Sequence, residues 1–255
     1  MCVCMCVYVR VCDAELIPIP KKGDLSHCDN WRGIALLDVV GKVVGRLLQT
    51  RLQQFAEDVL PESQCGFRRN RSCTDHIFST SQIIEKLYEH QSSGFLIFVD
   101  LKKAYDSVPR EALWHCLTIL GVPPSVVHLI ASFHTDMLAR VPVGDSHTPP
   151  IAVNNGLRQG CCISPVLFNL FFALVLEKWR GDMTTACLDR ELGFLFNLNG
   201  NLFNGPRTES QSPSVSDLEY ADDAVLTIPS CPSAEIALRT FASAAASFGL
   251  TVDFA

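Results

Sequence analysis

The sequence has 255 residues, 48% of them hydrophobic, with 21 basic and 27 acidic side chains for a formal net charge of −6. This length and composition supply a hydrophobic core for one large domain or two small ones, so global disorder is excluded. The acidic balance argues against a free-standing nucleic-acid-binding domain, which usually carries a basic face, unless the basic residues cluster or a basic part is missing.

The first twelve residues, MCVCMCVYVRVC, have no basic region and no small-residue cleavage site, so they do not form a secretory signal. Their codons can be written as one purine–pyrimidine alternation, so we interpret residues 1–12 as a translated simple repeat without structure. A thiol metal site is the alternative for this cysteine-rich leader. The chain has 12 cysteines but no CxxC pair. We therefore expect reduced thiols in an intracellular protein of the nucleus or cytoplasm.

The first predicted elements are an extended segment and two helices. Residues 15–32 contain two prolines in a short apolar run, which predicts an edge strand or an extended arm. Apolar residues then recur at helical spacing from Asp38 to Val59, with Asp38 as the N-cap and Pro61 beyond the end. A second helix is predicted near Asp75 to His90, after a basic loop.

The remaining elements begin with a strand that is apolar from Phe95 to Val99 and ends at Asp100, and we expect it to be covered on both faces. Strands and helices follow without regular alternation, which predicts the α+β class. The later predictions are helices from 109 to 121, 125 to 135, 163 to 179 and 234 to 248, a hairpin of 138–143 with 150–153, an irregular connection over 180–217, and a hairpin around 218–226. The apolar run 166–176 is shorter than the roughly 20 residues that span a bilayer.

Adjacent carboxylates stand between two apolar runs in the segment LEYADDAVL. The predicted hairpin places Asp222 and Asp223 at its turn, and Asp100 ends another strand. If these strands are neighbours, three carboxylates meet, and they cannot all stay ionised without cations such as Mg²⁺. Two ions roughly 3.5–4 Å apart would support in-line phosphoryl transfer. The alternative is an ordinary surface turn, because turns favour aspartate.

Five segments occur in an order and spacing that resemble the reverse transcriptase domain of non-LTR (long interspersed) retrotransposons. They are IPIPKKGDLSHCDNWRGIALLDVVGKVVGRLLQTRL, PESQCGFRRNRSCTDHIF, FVDLKKAYDSVPREALW, NNGLRQGCCISPVLFNLFF and LEYADDAVL. The resemblance covers nearly all of residues 15–253. It implies a right-hand polymerase with fingers (13–94) and a palm (95–255) that is an antiparallel sheet backed by helices, incomplete at its C-terminal end.

The resemblance also implies DNA synthesis from dNTPs on an RNA template and a DNA primer, with two Mg²⁺ ions, for which Mn²⁺ can substitute, and without a membrane. It assigns the metal ligands to Asp100, Asp222, Asp223 and the carbonyl of Leu101. It assigns a steric gate against the 2′-hydroxyl to Tyr105, for which a core aromatic is the alternative. Further substrate-binding residues are Lys21, Lys22, Arg32, Arg158, Gln159 and Gly160, and template-binding residues are Arg68, Arg69 and Arg71; a solvated basic turn or loop is the alternative for these.

Three alternatives stay open at this point. Because no thumb follows GLTVDFA, we expect the isolated chain to extend primers poorly, and a decayed, non-enzymatic retrotransposon remnant with residual nucleic-acid binding is the first alternative. A group II intron maturase or an RNA-templated RNA polymerase is the second, although KKGD…NWR and GLRQGCCISPVLFN favour the retrotransposon branch. A metal-thiol binding protein is the third.

Overall fold

The computed structural model describes residues 14–186, 192–193 and 214–253, so the predicted leader 1–12 lies outside the described residues. The helices are α1 (Val39–Val59), α2 (Cys73–Glu89), α3 (Ala104–Ser107), α4 (Arg110–Ile119), α5 (Pro124–Ser132), α6 (Ser164–Ala186) and α7 (Cys231–Ser247). The strands are β1 (Ala14–Pro20), β2 (Trp31–Leu36), β3 (Phe95–Leu101), β4 (Leu138–Arg140), β5 (Pro142–Val143), β6 (Ser146–His147), β7 (Ile151–Ala152), β8 (Leu192–Gly193), β9 (Ser214–Val215), β10 (Asp217–Tyr220), β11 (Asp223–Ile228) and β12 (Val252–Asp253). The mixture confirms the predicted α+β class.

The chain forms two compact units, and each is assembled from two stretches of sequence. Of the described residues, the first unit contains 14–60 and 103–171, and the second contains 61–102, 172–186, 192–193 and 214–253. The predicted division into fingers (13–94) and palm (95–255) is a functional division, and it stays a prediction.

The first unit contains a sheet in which β1 lies between two strands, in the order β2-β1-β4-β7. The prediction of an edge strand is therefore wrong for the start of β1, where Ala14 and Glu15 pair in parallel with β4. From Leu16 onward β1 pairs only with β2, through an antiparallel register that ends at Pro20 opposite Trp31. Pro18 lies in the part of β1 that pairs on one side only, and a proline is tolerated best in such edge segments.

Helix α1 begins where the sequence predicts. The Asp38 carboxylate accepts a hydrogen bond from the Gly41 amide at 2.6 Å, which satisfies one of the free amides at the helix start. Leu48, Leu52 and Ala56 are buried on one side of the helix. The predicted apolar face is only partly buried, because the side chains in the first half of the helix, such as Val43, are exposed.

The second unit contains an antiparallel sheet in the order β10-β11-β3-β12. One end of one face is covered by α2, where Ile83 and Leu87 pack against Leu218 and its neighbours. The expectation that β3 is covered on both faces is wrong for the described residues, because Phe98 is 74% exposed and Asp100 is also exposed. A local run of apolar residues does not reveal how far a covering helix extends.

Helix α6 is the predicted buried helix, and it continues beyond the predicted end at Trp179 to Ala186. Within the second unit, the Trp179 indole donates a hydrogen bond to the Ala237 carbonyl at 3.2 Å, and its ring meets Phe241 edge-on. The prediction of an irregular segment from 180 onward is therefore wrong for 180–186, where packing against α7 sustains the helix. In the described part of the chain, no helix combines the length and apolar character needed to cross a membrane.

Candidate active site

The hairpin of β10 and β11 brings the predicted carboxylates into one sheet with Asp100. Its last strand pair is Tyr220 opposite Asp223, so Ala221 and Asp222 form the turn. Strand β11 also pairs with β3, with Ala224 opposite Val99, and the next position of this register sets Asp223 opposite Asp100. The expected adjacency of the two strands is confirmed, although Asp223 begins the strand instead of lying in the turn.

Three carboxylates form a row across one face of this sheet. Asp253 on β12 pairs with Asp100 on β3, and continuing the β11–β3 register by one position beyond the Ala224–Val99 pair places Asp223 on the other side of Asp100. Side chains of directly opposed residues point to the same face, and all three residues of this acidic row are exposed. The Lys102 ammonium lies 3.2 Å from the Asp253 carboxylate. The row is therefore open to a cation from solvent.

The donor set fits the divalent ion that the resemblance implies. Carboxylate oxygens are the ligands that Mg²⁺ prefers, and Asp100 and Asp223 present them from adjacent, exposed strand positions beside Asp222. Within residues 14–186, 192–193 and 214–253, no three histidine, cysteine or acidic side chains are gathered closely enough to hold an ion. Leu101 has a buried side chain and pairs with Val252. The predicted ligand roles of these residues stay predictions.

A second pair of acidic residues on the same hairpin is buried. Asp217 and Glu219 each expose 1% of their surface, on the face of β10 opposite Tyr220. The Arg180 guanidinium donates to both carboxylate oxygens of Asp217, with Nε at 2.9 Å from Oδ1, and its Nη2 donates to Glu219 Oε1 at 3.3 Å. The Ser63 hydroxyl also donates to Glu219 Oε1, at 3.0 Å. A protein cation and a hydroxyl therefore hold this pair inside the fold.

The buried pair shares its protons unequally. Burial raises the pKa of Glu219 well above its usual value, and the hydrogen bond with Asp217 raises it further. Burial also raises the pKa of Asp217, but hydrogen bonds from Glu219 and Arg180 outweigh it, so that the pKa of Asp217 is lowered overall. The arrangement corresponds to a protonated Glu219 that donates to an ionised Asp217.

The turn itself has an uncommon backbone. Ala221 has φ of 60° and is buried, although positive φ is disfavoured for residues that carry a Cβ by roughly 1–2 kcal/mol. The Gln64 side chain contacts this residue twice: its Oε1 accepts from the Ala221 amide at 2.9 Å, and its Nε2 donates to the Ala221 carbonyl at 3.4 Å. A residue far away in sequence therefore supports the turn that carries Asp222.

Tyr105 lies in the first unit, on the short helix α3. Its half-buried ring stacks on Phe168, with ring centroids 4.6 Å apart and planes 24° from parallel. Because Phe168 is fully buried in α6, the tyrosine ring is supported by the core of its unit. Both the predicted gate and the alternative of a core aromatic agree with a half-buried, supported ring.

The Arg158–Gly160 loop is tied to two other parts of the first unit. The Gln159 side chain donates to Asp106 Oδ1 at 2.9 Å, and the Gln159 carbonyl accepts from the Ala35 amide at 2.7 Å. Gly160 has φ of 106°, and a Cβ there would lie 2.6 Å from the Ala35 carbonyl oxygen, so glycine is required. Arg158 is buried, and its guanidinium donates to the Phe133 carbonyl. It therefore supports the loop from inside.

The predicted triphosphate-binding cations occupy one end of the β1–β2 hairpin. Lys21 and Lys22 follow β1 directly, and Arg32 is the second residue of β2, opposite Ile19. All three side chains are exposed. The fold therefore brings these three cations to the same hairpin end.

The three predicted template-binding arginines differ in environment. Arg68 is buried, and its Nη1 donates to the carbonyls of Pro61 at 2.7 Å and Gln64 at 3.2 Å. Arg71 forms an ion pair with Glu62, and Arg69 is exposed. Arg68 thus has a supporting position in the second unit, and Arg69 is the most accessible of the three to a backbone phosphate.

Sequence reasoning did not assign roles to Gln64, Glu219 or Arg180. Gln64 stands inside the quoted block PESQCGFRRNRSCTDHIF and Glu219 inside LEYADDAVL. In a strand, a polar residue between apolar neighbours predicts a solvent-facing side chain, so the local pattern at Glu219 gave no signal of its burial. Nothing local identifies Gln64 or Arg180, because their partners are remote in sequence.

Comparison with known proteins supports the resemblance. The sequence model of the family described as "Reverse transcriptase (RNA-dependent DNA polymerase)" matches residues 19–255. The chain is 28% identical over 220 residues to the RNA-directed DNA polymerase from mobile element jockey of Drosophila melanogaster, which covers 84% of this chain and 21% of that protein. It is 29% identical over 152 residues to the Pol polyprotein from the type-1 retrotransposable element R2 of Popillia japonica, covering 59% of this chain and 21% of that protein. The chain thus spans about a fifth of each relative.

A solved structure shows the same fold at low sequence identity. Apo telomerase from Candida tropicalis, truncated from its C-terminal domain, superposes with a TM-score of 0.65 and covers 95% of this chain and 49% of that chain. The sequence identity is 12%, so this likeness concerns the fold. It agrees with the predicted arrangement of helices and antiparallel sheets.

Proposed function

Because the chain belongs to the reverse transcriptase (RNA-dependent DNA polymerase) family and its relatives are non-LTR retrotransposon proteins, we propose that its reaction is template-directed DNA synthesis. The substrates are dNTPs, with an RNA template and a DNA primer. The observation that carries this proposal is the antiparallel pairing of β11 with β3, in which Ala224 and Val99 are opposite one another directly next to Asp223 and Asp100, with Asp222 in the adjoining turn.

Asp100, Asp222 and Asp223, together with the Leu101 carbonyl, would hold two Mg²⁺ ions or Mn²⁺ in their place. When bound, such ions stabilise the attacking 3′-oxygen of the primer and the departing pyrophosphate oxygen. The exposed faces of Asp100 and Asp223 leave room for the phosphates of a nucleotide. The carboxylates concentrate negative charge at the sheet end, which selects cations from solvent.

The remaining predicted substrate-binding residues have the following roles in this proposal. Lys21, Lys22 and Arg32 bind the triphosphate, since cations at one hairpin end suit its charge and the guanidinium fork suits phosphate oxygens. The Tyr105 ring, supported by Phe168, presses on the sugar and excludes a 2′-hydroxyl. Gln159 contacts the base pair, and Gly160 and Arg158 keep its loop in place.

The template contacts are assigned to the exposed cations of the second unit. Arg69 binds a backbone phosphate directly, and Arg71 does so when it leaves Glu62. Arg68 supports this segment indirectly, because its guanidinium donates to two main-chain carbonyls, those of Pro61 and Gln64. Arg69→Ala should therefore weaken template binding by more than any accompanying loss of folding stability explains.

The proposal is tested by dTTP incorporation on a poly(rA)·oligo(dT) template-primer in Mg²⁺. We compare the 255-residue chain with Asp222→Asn and with Asp145→Asn, a control in the exposed β5–β6 turn. The expected result is template-dependent incorporation that falls at least about 100-fold in Asp222→Asn and is unchanged in Asp145→Asn. Incorporation that survives Asp222→Asn would place the activity elsewhere. Binding of the template-primer without incorporation would favour a non-enzymatic remnant.

The assignment of Tyr105 has its own test. Replacing the ring with alanine removes the obstacle to the 2′-hydroxyl, so Tyr105→Ala should raise rNTP use relative to dNTP use by at least about tenfold. The matched control is Tyr88→Ala, which truncates a tyrosine that is 87% exposed on α2. An unchanged ratio of rNTP to dNTP incorporation in Tyr105→Ala would leave Tyr105 as a core residue only.

A further inference from the structure

The turn that carries Asp222 is shaped by a segment that lies far away in sequence. Residues 63–66 run along the outer edge of β10: the Glu219 amide donates to the Ser63 carbonyl and the Cys65 amide donates to the Glu219 carbonyl, both at 2.9 Å. Gln64 pairs with Glu219 in a parallel bridge. We call residues 63–66 the brace.

Both polar atoms of the Gln64 side chain are used, and the side chain is 1% exposed. Its Oε1 accepts from the amides of Ala221 at 2.9 Å and Gly66 at 2.8 Å. Its Nε2 donates to the Ala221 carbonyl at 3.4 Å and approaches Glu219 Oε2 at 3.5 Å. Two amide donors on one side fix which end of the carboxamide is oxygen, so the group fits in one orientation.

The contacts fall on the peptide group that sets the direction of Asp222. The Ala221 carbonyl belongs to the peptide bond between Ala221 and Asp222. The Ala221 amide belongs to the preceding peptide bond, between Tyr220 and Ala221. Rotation about the N–Cα bond of Ala221 would relieve its positive φ and would change the direction in which the chain enters Asp222. Gln64 opposes that rotation at both ends of Ala221.

Gly66 completes the brace by its lack of a side chain. A Cβ at this position would overlap the backbone nitrogen of Ala221, so the brace approaches the turn as closely as two backbones can. Arg68 holds the brace from the other side, through the carbonyls of Pro61 and Gln64. The geometry therefore defines a rigid support with one residue, Gln64, at its tip.

We propose that Gln64 is a positioning residue for the candidate active site, which holds the Ala221–Asp222 peptide so that Asp222 and Asp223 bind a divalent ion together with Asp100. This inference rests on the proposed function, because it assumes that these carboxylates bind the ion. Glutamate cannot replace Gln64, since it brings a buried charge and no amide donor. Methionine has a similar volume but can make none of the hydrogen bonds of the Gln64 carboxamide to Ala221 and Gly66.

The test is Mn²⁺ binding to the full chain, followed by the electron paramagnetic resonance signal of free Mn²⁺. The variants are Gln64→Met, Gln64→Glu, Gly66→Ala, Asp222→Asn and, as a matched control, Gln53→Met. Gln53 is a buried glutamine of α1 that bonds Glu57 at 3.0 Å. The expected result is affinity at least about tenfold weaker in both Gln64 variants and in Gly66→Ala, affinity lost in Asp222→Asn, and no change in Gln53→Met.

The outcomes separate the two proposals. Wild-type affinity in Gln64→Met with loss of binding in Asp222→Asn would overturn the role of Gln64 and leave the proposed metal site standing. Wild-type affinity in Asp222→Asn would overturn the metal site, and the positioning role with it. If the Gln64 variants do not fold, amide hydrogen exchange in the wild-type chain decides: a protected Ala221 amide supports the inference, and exchange at the rate of an unstructured peptide overturns it.

Discussion

The β10–β11 hairpin carries two acidic pairs, and the protein treats them in opposite ways. Asp217 and Glu219 are buried on the inner face, where Arg180 and Ser63 bind them. Asp222 lies in the turn, and Asp223 is exposed at the start of β11, next to the Ala224–Val99 pair. The inner pair is held by Arg180 and Ser63 and fixes the hairpin, whereas Asp223 is exposed to cations in solvent.

The difference also separates structural from functional charge. Burying Asp217 removes its hydration, and only the charge and hydrogen bonds of Arg180 compensate, so the inner pair depends on its protein partner. The carboxylates of the acidic row keep their hydration and depend little on any protein cation. Four substitutions or conditions sharpen this contrast.

The largest effect is expected from Arg180→Met, which leaves the Asp217 carboxylate buried without its cation. We expect the free energy of unfolding to fall by about 3 kcal/mol in urea titration. The matched control is Arg239→Met, because Arg239 pairs with Glu235 where both side chains are 77% exposed, and it should change stability by less than about 0.5 kcal/mol. Equal losses in both variants would remove the distinction between inner and outer pairs.

The next effect concerns pH and the inner pair. Because the pKa of Glu219 is raised in the folded state, its contribution to stability is complete below the unfolded pKa of about 4.5 and is lost as pH rises through the folded value. Asp217 has a lowered pKa, so its contribution is present above about 3.8 and is lost as pH falls through the folded value. We therefore expect Glu219→Gln to flatten the decline of stability toward alkaline pH.

The contribution of Glu219 to the free energy of unfolding is measured at alkaline pH, because other groups affect stability in acid. Burial lowers the pKa of His134 in the first unit to about 4, so stability is also lost from that residue as pH falls from about 6.5. That loss overlaps with the Asp217 loss in acid. Urea titrations of wild type and Glu219→Gln between neutral and alkaline pH isolate Glu219, and parallel curves for the two proteins would show that Glu219 is not protonated in the fold.

A smaller effect is expected at the turn pair. An ion that binds only the folded chain stabilises it, by about 1.4 kcal/mol when its concentration is ten times its dissociation constant. Mg²⁺ should therefore raise the unfolding midpoint of the wild type and of Asp145→Asn, but not that of Asp223→Asn. Without Mg²⁺, Asp223→Asn should be as stable as the wild type or slightly more stable, because it relieves repulsion with Asp100. A clear loss of stability would assign Asp223 to the fold.

The smallest effect is expected from Lys102→Met. Lys102 pairs with Asp253 at 3.2 Å, and the two side chains are 57% and 42% exposed. We expect a change below about 0.5 kcal/mol in urea, since exposed ion pairs contribute little. A loss as large as that of Arg180→Met would mean that the acidic row needs a protein cation, as the inner pair does.

Local patterns predicted the elements whose cause is local. The N-cap at Asp38 and the helix that follows are decided by neighbouring residues, and α1 begins as expected. The family motifs also identified both strands that carry the carboxylates. The position of β1 inside its sheet was not predictable in this way, because β4 lies more than a hundred residues away along the chain. The open face of β3 was also not predictable, because a local run of apolar residues does not show how far the covering helix extends.

The candidate site was likewise predictable from local motifs, but not where it depends on contacts between residues that are remote in sequence. Asp100, Asp222 and Asp223 were assigned from their motifs, and the register shows their strands to be neighbours. The support under the turn was not visible, because the contact between Gln64 and Ala221 joins residues that are 157 positions apart. Arg158 and Arg68 were assigned to ligands from the family resemblance, whereas in the structure both are buried and their guanidinium groups donate to backbone carbonyls.

The most direct test of the central claim is iron-mediated cleavage of the chain. Fe²⁺ placed at the candidate site with ascorbate and hydrogen peroxide cuts the backbone next to the ion. We predict cuts both at the end of β3 near Asp100 and at the β10–β11 turn near Asp222, suppressed by excess Mg²⁺ and absent in Asp222→Asn. Cuts at only one of the two places, or at both places in Asp222→Asn, would contradict a shared metal site.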